Sequence, residues 1–261
     1  MKKIIILVSC ILAVSTLVAA GDASFDTIKA KGELRIGLDD SFPPMGYRID
    51  DGTLTGFDID AAEELGKRLG IKIVWTPTAW DGVIHALNSG MFDCIWNGMT
   101  ITPERAEKVL FTKPYILDGQ VAVVRFDEKR FTSYKDLGGK IIGAQKGSSA
   151  IKAIEKLPVK PSAVKEYTDN PKALLDLEAG RIDAVIIDNV TGRDTISKRI
   201  GKFKTLPGFI SKEPFGVAFR QADAQLLNTI QKTIDDMVAD GTMAKISMKW
   251  FAEDITDPSK W

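Results

Sequence analysis

The stretch ALNSGMFDCIWNG, residues 86–98, and the stretch DLEAGRIDAVIID, residues 176–188, superimpose at an offset of 90. Leu87 falls on Leu177, Gly90 on Gly180, Asp93 on Asp183 and Gly98 on Asp188. Each stretch reads as the end of a helix, a glycine stop and an apolar strand that closes in a small or polar residue. Two such units predict two similar α/β lobes. Each should present the carboxyl ends of its strands, where open α/β sheets gather small molecules.

The same rhythm continues on either side. Leu34–Leu38, Ile71–Trp75 and Met91–Trp96 read as strands, and Val83–Leu87 as a short helix. Asp58–Leu69 reads as a longer helix, with Asp58 as its cap, Ile59, Ala62, Leu65 and Leu69 on one apolar face and Gly70 as its stop. Val121–Arg125 and Phe215–Arg220 look like connectors that enclose a block of about ninety residues, close to a minimal domain. Leu226–Val238 and Ala244–Phe251 are helical and should return the chain to the first lobe. The expected organisation is therefore 21–120 with 214–261 as lobe 1 and 121–213 as lobe 2, joined by a two-strand hinge with the ligand in the cleft.

The chain has 261 residues, 44% of them hydrophobic, and 35 basic residues against 35 acidic ones. That balance gives no reason to expect a nucleic acid partner. Lys2 and Lys3 precede the uncharged stretch Ile4–Ala20, and Val18-Ala19-Ala20 stands before Gly21. Residues 1–20 read as a cleavable secretory signal, with an anchoring helix as the bland alternative. Leu7-Val8-Ser9-Cys10 looks like a lipobox, but cleavage there would leave a very short apolar segment. Loss of the signal removes two lysines and Cys10 and leaves Cys94 alone, so no internal disulfide is expected. Cys94 reads as a small buried hydrophobe. After the signal no second long apolar stretch follows, so a soluble, periplasmic or otherwise extracytoplasmic monomer is expected.

Several chemistries lack their parts. The one histidine, His85, stands on a helix without a partner cluster, and no Cys/His spacing suits a metal. No nucleophile elbow, Walker loop or dinucleotide fingerprint occurs, and QKGSSA has too few glycines for a nucleotide loop. No cofactor and no metal are expected.

Recognition chemistry is better supplied. Asn97, Gly98 and Thr100 follow a strand, and Gly98 allows close approach of backbone N–H groups. Thr102 and Pro103 start a helix, which puts Arg105 in its first turn, where the dipole disfavours a cation. A ligand carboxylate would explain it, and so would a surface ion pair with Glu104, Glu107 or Glu64. In the other lobe Ser148 and Ser149 open a helix whose free N–H groups suit an anion, or merely cap it. Asp188 ends a strand and suits an ammonium group, or caps the following turn. Together these groups match an α-amino acid. Phe42 and Trp80, in loops after strands, suit the walls of a pocket, with Trp96 a weaker candidate.

At this point the chain resembles the family 3 solute-binding proteins, the extracytoplasmic receptors of polar amino-acid ABC importers. The likeness spans the mature chain. It is carried by GFDIDAAEELGKRLG (56–70), WDGVIHALNSGMFDCIWNGMTITPERAEKVLFTKPY (80–115), DLGGKIIGAQKGSSA (136–150) and GRIDAVIIDN (180–189). The resemblance implies a periplasmic binding protein type II fold and a membrane permease as partner. It implies that Arg105 clamps the ligand carboxylate, that Ser148 and Ser149 assist, that Asp188 takes the α-ammonium, and that Phe42 and Trp80 stack on the ligand. It matches Asp39 to the acid that meets cationic side chains in basic-amino-acid binders. Gly98 replaces a serine often found there, so only its backbone can serve. Asp40 competes with Asp39 as the inward acid, and Lys146 near the loop weighs against a purely cationic ligand. Arginine or lysine leads, with glutamine or another polar amino acid next.

The alternative is an enzyme resembling cyclohexadienyl or arogenate dehydratase on the same fold. Those enzymes carry a glutamate three residues after the second-lobe aspartate; here that position is Thr191, which cannot act as a general acid. A membrane-tethered sensor is not expected, because no anchor follows the domain.

Overall fold

The computed structural model describes residues 22–261. The expected signal, residues 1–20, and Cys10 lie outside the described residues.

Among the described residues two mixed α/β sheets carry the structure. The first has the strand order Lys72–Pro77, Glu33–Leu38, Cys94–Ile95, Ala218–Phe219, Leu110–Phe111. The second has the order Ala163–Tyr167, Ile141–Gln145, Ala184–Asp188, Ile116–Arg125, Phe203–Thr205, with Ser211–Phe215 also paired to Ile116–Arg125. Pairings within each βαβ unit are parallel, and those made by the connectors are antiparallel. Ser41–Phe42, Gly46–Arg48 and Leu54–Thr55 add a small antiparallel sheet that sequence patterning did not reveal.

The helix Phe57–Leu69 shows why these residues take these forms. Phe57, Ala61, Ala62 and Leu65 recur at helical spacing and are buried, and Gly70 ends the helix at φ 68°. Burying a side chain such as Phe57 or Leu65 contributes on the order of 1.5–3 kcal/mol. One expectation fails here. Gly56, not Asp58, stands at the N-cap, and Asp58 is buried within the first turn.

The offset of 90 has a physical counterpart. Asp93 N–H donates to the Arg35 carbonyl while Asp93 Oδ2 accepts from Arg35 N–H. Asp183 makes the same reciprocal pair with Ile141. Gly90 and Gly180 both have positive φ, 80° and 71°. Arg220 Nη1 donates to the carbonyls of Leu87 and Phe92, and Arg125 Nη1 to those of Leu177 and Ile182, the residues 90 further on. Each lobe thus locks its helix–glycine–strand unit with one arginine from a connector.

The connectors differ from expectation in detail. Ile116–Arg125 is one continuous strand that starts before the expected Val121, and the run expected as Phe215–Arg220 is split, with Phe215 ending the strand Ser211–Phe215 and Ala218–Phe219 forming another. The break falls at Gly216, where a Cβ would meet Ile101 Cδ1 at 2.9 Å. Ile116–Gln120 and Ser211–Phe215 run antiparallel and form the hinge. The strand expected as Met91–Trp96 shortens to Cys94–Ile95, because Met91 and Asp93 are held by the Arg35 side chain instead of a ladder.

Candidate functional site

A narrow cavity lies between the lobes, lined by Asp39, Phe42, Trp80, Asn97, Gly98, Thr100 and Arg105 on one side and Gln145, Ser148, Ser149 and Asp188 on the other. Of the residues expected from sequence at the ligand, Lys146 is missing from this wall, and so is Trp96, the weaker candidate. The Lys146 ammonium lies 2.9 Å from Asp81 Oδ2 at the exposed rim, where water solvates both partners.

Arg105 is built as its local sequence predicts. Thr102 Oγ1 accepts from Arg105 N–H at 3.2 Å, and Pro103 takes the first helical position. The guanidinium donates to the Thr100 carbonyl at 2.8 Å and, across the cleft, to the Gly147 carbonyl at 3.1 Å. It also lies 5.7 Å from the centre of the Trp80 ring. The surface ion pair is not formed: Glu64 instead engages Arg68 and Lys67. Burial pulls the Arg105 pKa below its ordinary value, with Asp188 and Glu213 opposing. A half-buried guanidinium bonded only to neutral carbonyls has no carboxylate partner of its own, and its fork geometry is one that suits such a group.

Gly98 corrects one expectation. Its N–H donates inward, to Asp58 Oδ2 at 2.8 Å and the Tyr115 hydroxyl at 3.1 Å, so it is not available to a ligand and the carbonyl remains. Tyr115 also donates to Asp58 Oδ1 at 2.9 Å. Asp58 is therefore the internal anchor of the loop at Gly98. Burial pushes its carboxyl up to about 7. Trp96 packs with Tyr115 in the first-lobe core and does not line the cavity.

Asp39, not Asp40, faces the cavity. Its Oδ1 accepts from Ser41, and its Oδ2 accepts from Gln145 Nε2 at 2.6 Å across the cleft. Asp40 turns away to Arg48. Asn97 Oδ1 accepts from Asp39 N–H at 3.0 Å, while Asn97 Nδ2 is buried without a partner. Thr100 Oγ1 lies 3.0 Å from Ser149 Oγ, a further direct bond between lobes. Ser148 occupies the N-cap but bonds the Gln145 carbonyl instead of capping. Asp188 also makes no capping bond; its Oδ1 accepts from Gln120 Nε2 at 2.7 Å.

Sequence reasoning missed Gln145, Gln120 and Glu213. Gln145 ends the strand Ile141–Gln145, so the strand-end criterion that selected Asn97 and Asp188 applies to it equally. Gln120 and Glu213 lie on strands that the sequence presents only as connectors.

Residues 34–253 match the family described as bacterial extracellular solute-binding proteins, family 3. The chain is 33% identical over 250 residues to the L-cystine-binding protein TcyJ of Escherichia coli K12, covering 95% of this chain and 94% of that protein. It is 32% identical over 264 residues to an L-arginine-binding protein of Pseudomonas aeruginosa, covering 98% of each. It also resembles the crystal structure of an ancestral amino acid-binding protein, AncCDT-1, a precursor of cyclohexadienyl dehydratase. The TM-score is 0.82 and the identity 36%, over 87% of this chain and 99% of that one.

Proposed function

This chain belongs to the bacterial extracellular solute-binding proteins of family 3, and from that premise we propose that it captures a polar, cationic L-amino acid between its lobes and delivers it to the permease of an ABC importer. The observation that carries the reading is that Arg105 and Asp188, from different lobes, line one cavity. A zwitterion spans them, its carboxylate at Arg105 and its ammonium at Asp188. Thr100, Ser148 and Ser149 supply polar contacts beside these two groups, with the carbonyl of Gly98 near the ammonium. Phe42 and Trp80 stack on the side chain, and Asp39, with Gln145 and Asn97, receives its distal end. A carboxylate beside aromatic faces favours a cation there, which points to arginine or lysine. The relative named for arginine supports a basic ligand, and the one named for cystine makes that polar amino acid the competitor to test.

We take the lobes to be 21–120 with 214–261 and 121–213, and the pairing of Ile116–Gln120 with Ser211–Phe215 near those limits supports the division. We read the protein as acting outside the cytoplasm once residues 1–20 are removed. Among the described residues no helix is long and apolar enough to cross a membrane. Capture without chemistry suits a site in which Thr191 stands where the dehydratases have their glutamate, and incubation with prephenate or arogenate should yield no aromatic product.

Closure around a ligand raises the melting midpoint. A thermal-shift panel of the twenty amino acids plus ornithine and cystine should single out the basic ones, and a flat panel would refute the reading. Arg105→Ala should weaken binding by about 2–5 kcal/mol, as for loss of a buried charge partner. A loss below about tenfold in calorimetry, about 1.4 kcal/mol, would move the carboxylate site elsewhere.

A further inference from the structure

Three carboxylates meet at the hinge. Asp118 and Glu213 stand directly opposite each other on the paired hinge strands, and Asp188 stands opposite Gln120 on the neighbouring strand. All three are buried. Gln120 Nε2 lies 2.7 Å from Asp188 Oδ1, 3.1 Å from Glu213 Oε2 and 3.2 Å from Ser149 Oγ. One amide nitrogen has two protons for these three acceptors. Its oxygen is buried with no donor, yet turning the amide over would set that oxygen against both carboxylates.

The hydrogen-bond partners of the cluster are neutral. Besides Gln120, they are the Thr100 and Ser211 hydroxyls for Glu213, and the Asn189 amide and Val190 N–H for Asp118. The cation that faces the cluster, Arg105 from the helix Pro103–Ala106, spends its bonds on carbonyls. Behind the Thr100–Ser149 pair Glu213 also lines a second cavity, with Glu104, Lys152, Glu155, Lys156 and Lys212 around it. That cavity gives the cluster a route to solvent. Like charges directly opposite on paired strands, buried and without a bonded cation, repel one another strongly.

We infer that the Asp118–Asp188–Glu213 cluster holds a proton where a cation is lacking, and that a ligand ammonium arriving at Asp188 displaces it. The proton passes to solvent, and the ligand keeps its own three. Asp118 and Glu213 act through Asp188, as positioning residues that set when the proton leaves. Titration trends agree: burial, then Asp118 and Glu213, push Asp188 well above the usual carboxylate range, and burial pushes Asp118 up to about 7. The inference rests on the reading that Asp188 receives the ammonium.

Calorimetry with L-arginine in phosphate and in imidazole, two buffers of different ionisation enthalpy, tests it between pH 5 and 8. The heats should differ by close to one proton released per ligand at the acid end, with release fading as pH rises. Apparent affinity should climb by up to about tenfold per pH unit over the same range. Glu213→Gln, which keeps an acceptor for Thr100, should move both profiles to lower pH while binding persists. Asp118→Asn should do the same and serves if the first variant fails to fold. Binding with no buffer dependence anywhere in the range overturns the inference, as do two folded variants with unshifted profiles. Failure of every amino acid to bind at any pH would instead overturn the proposed function.

Discussion

Asp58 is buried and does not line the cavity, yet it carries much of the loop that does. Its two oxygens hold Tyr115 and the N–H of Gly98, and nothing charged compensates it. Its pKa is raised from 3.8 to about 7, with burial the largest cause. Between those values the folded state binds more protons than the unfolded one, so the contribution is fully present below pH 3.8 and is lost as pH rises through about 7. Asp58→Asn, a neutral mimic, should flatten that slope by up to about 4 kcal/mol, read from urea titrations at pH 4 and pH 8. Gly98 is constrained from the other side. Its φ is 56°, and a Cβ would meet Phe42 Cε1 at 2.8 Å and Phe215 Cε2 at 3.2 Å. Gly98→Ser should therefore cost about 1–3 kcal/mol of stability and weaken ligand binding, checked by melting and calorimetry. At this scale sequence spacing exposed Arg105, whose cap, proline and helix turn are consecutive. It hid Asp58, because a polar residue at a helix start looks like a cap, and its real partners, Gly98 and Tyr115, lie 40 and 57 residues away.

The repeated unit explains the stability of each lobe better than any single contact. Arg125 and Arg220 each tie together two carbonyls, one at the helix end and one before the strand. Hydrogen bonds from a charged group to buried carbonyls contribute about 1.5–3 kcal/mol. Arg125→Met keeps the aliphatic stem and should lower stability by about 2 kcal/mol in a urea titration, with little effect on ligand affinity. The glycines and aspartates of the unit were legible because they share the offset of 90. The arginines were not, since each reaches its unit from a connector strand and the two stand 95 residues apart. The division at Gly216 was also hidden. An apolar run interrupted by one glycine reads as a single strand until Ile101 is seen to occupy the space beside it.

For the molecule as a whole, closure is the event that matters. Among the described residues, charged contacts cross the rim away from the cavity at Lys146 with Asp81, Lys198 with Tyr47, and Arg193 with Glu253. Each exposed contact contributes at most about 1 kcal/mol, and salt screens it. Together Arg193→Ala and Lys198→Ala should raise the open population and weaken apparent affinity up to about tenfold, mostly through faster release, with the difference shrinking at high salt in stopped-flow measurements. Two lobes and a cleft followed from the repeated unit, but the rim contacts depend on how rigid bodies meet, which local patterning does not encode. Finally, the helix Ser24–Lys31 docks against the helix Ala224–Ala239 through Ser24 Oγ with Leu226 N–H and Gln225 Oε1 with Phe25 N–H, residues about 200 apart in the chain. In a chain exported before it folds, this contact forms only when the two ends of the mature sequence find each other, at a loop-closure cost that grows slowly with the length between them. The intervening sheet closes from contiguous sequence in the meantime. The inserted half can thus fold from contiguous chain, while the half that holds Arg105 is completed only when residues near both ends of the chain meet.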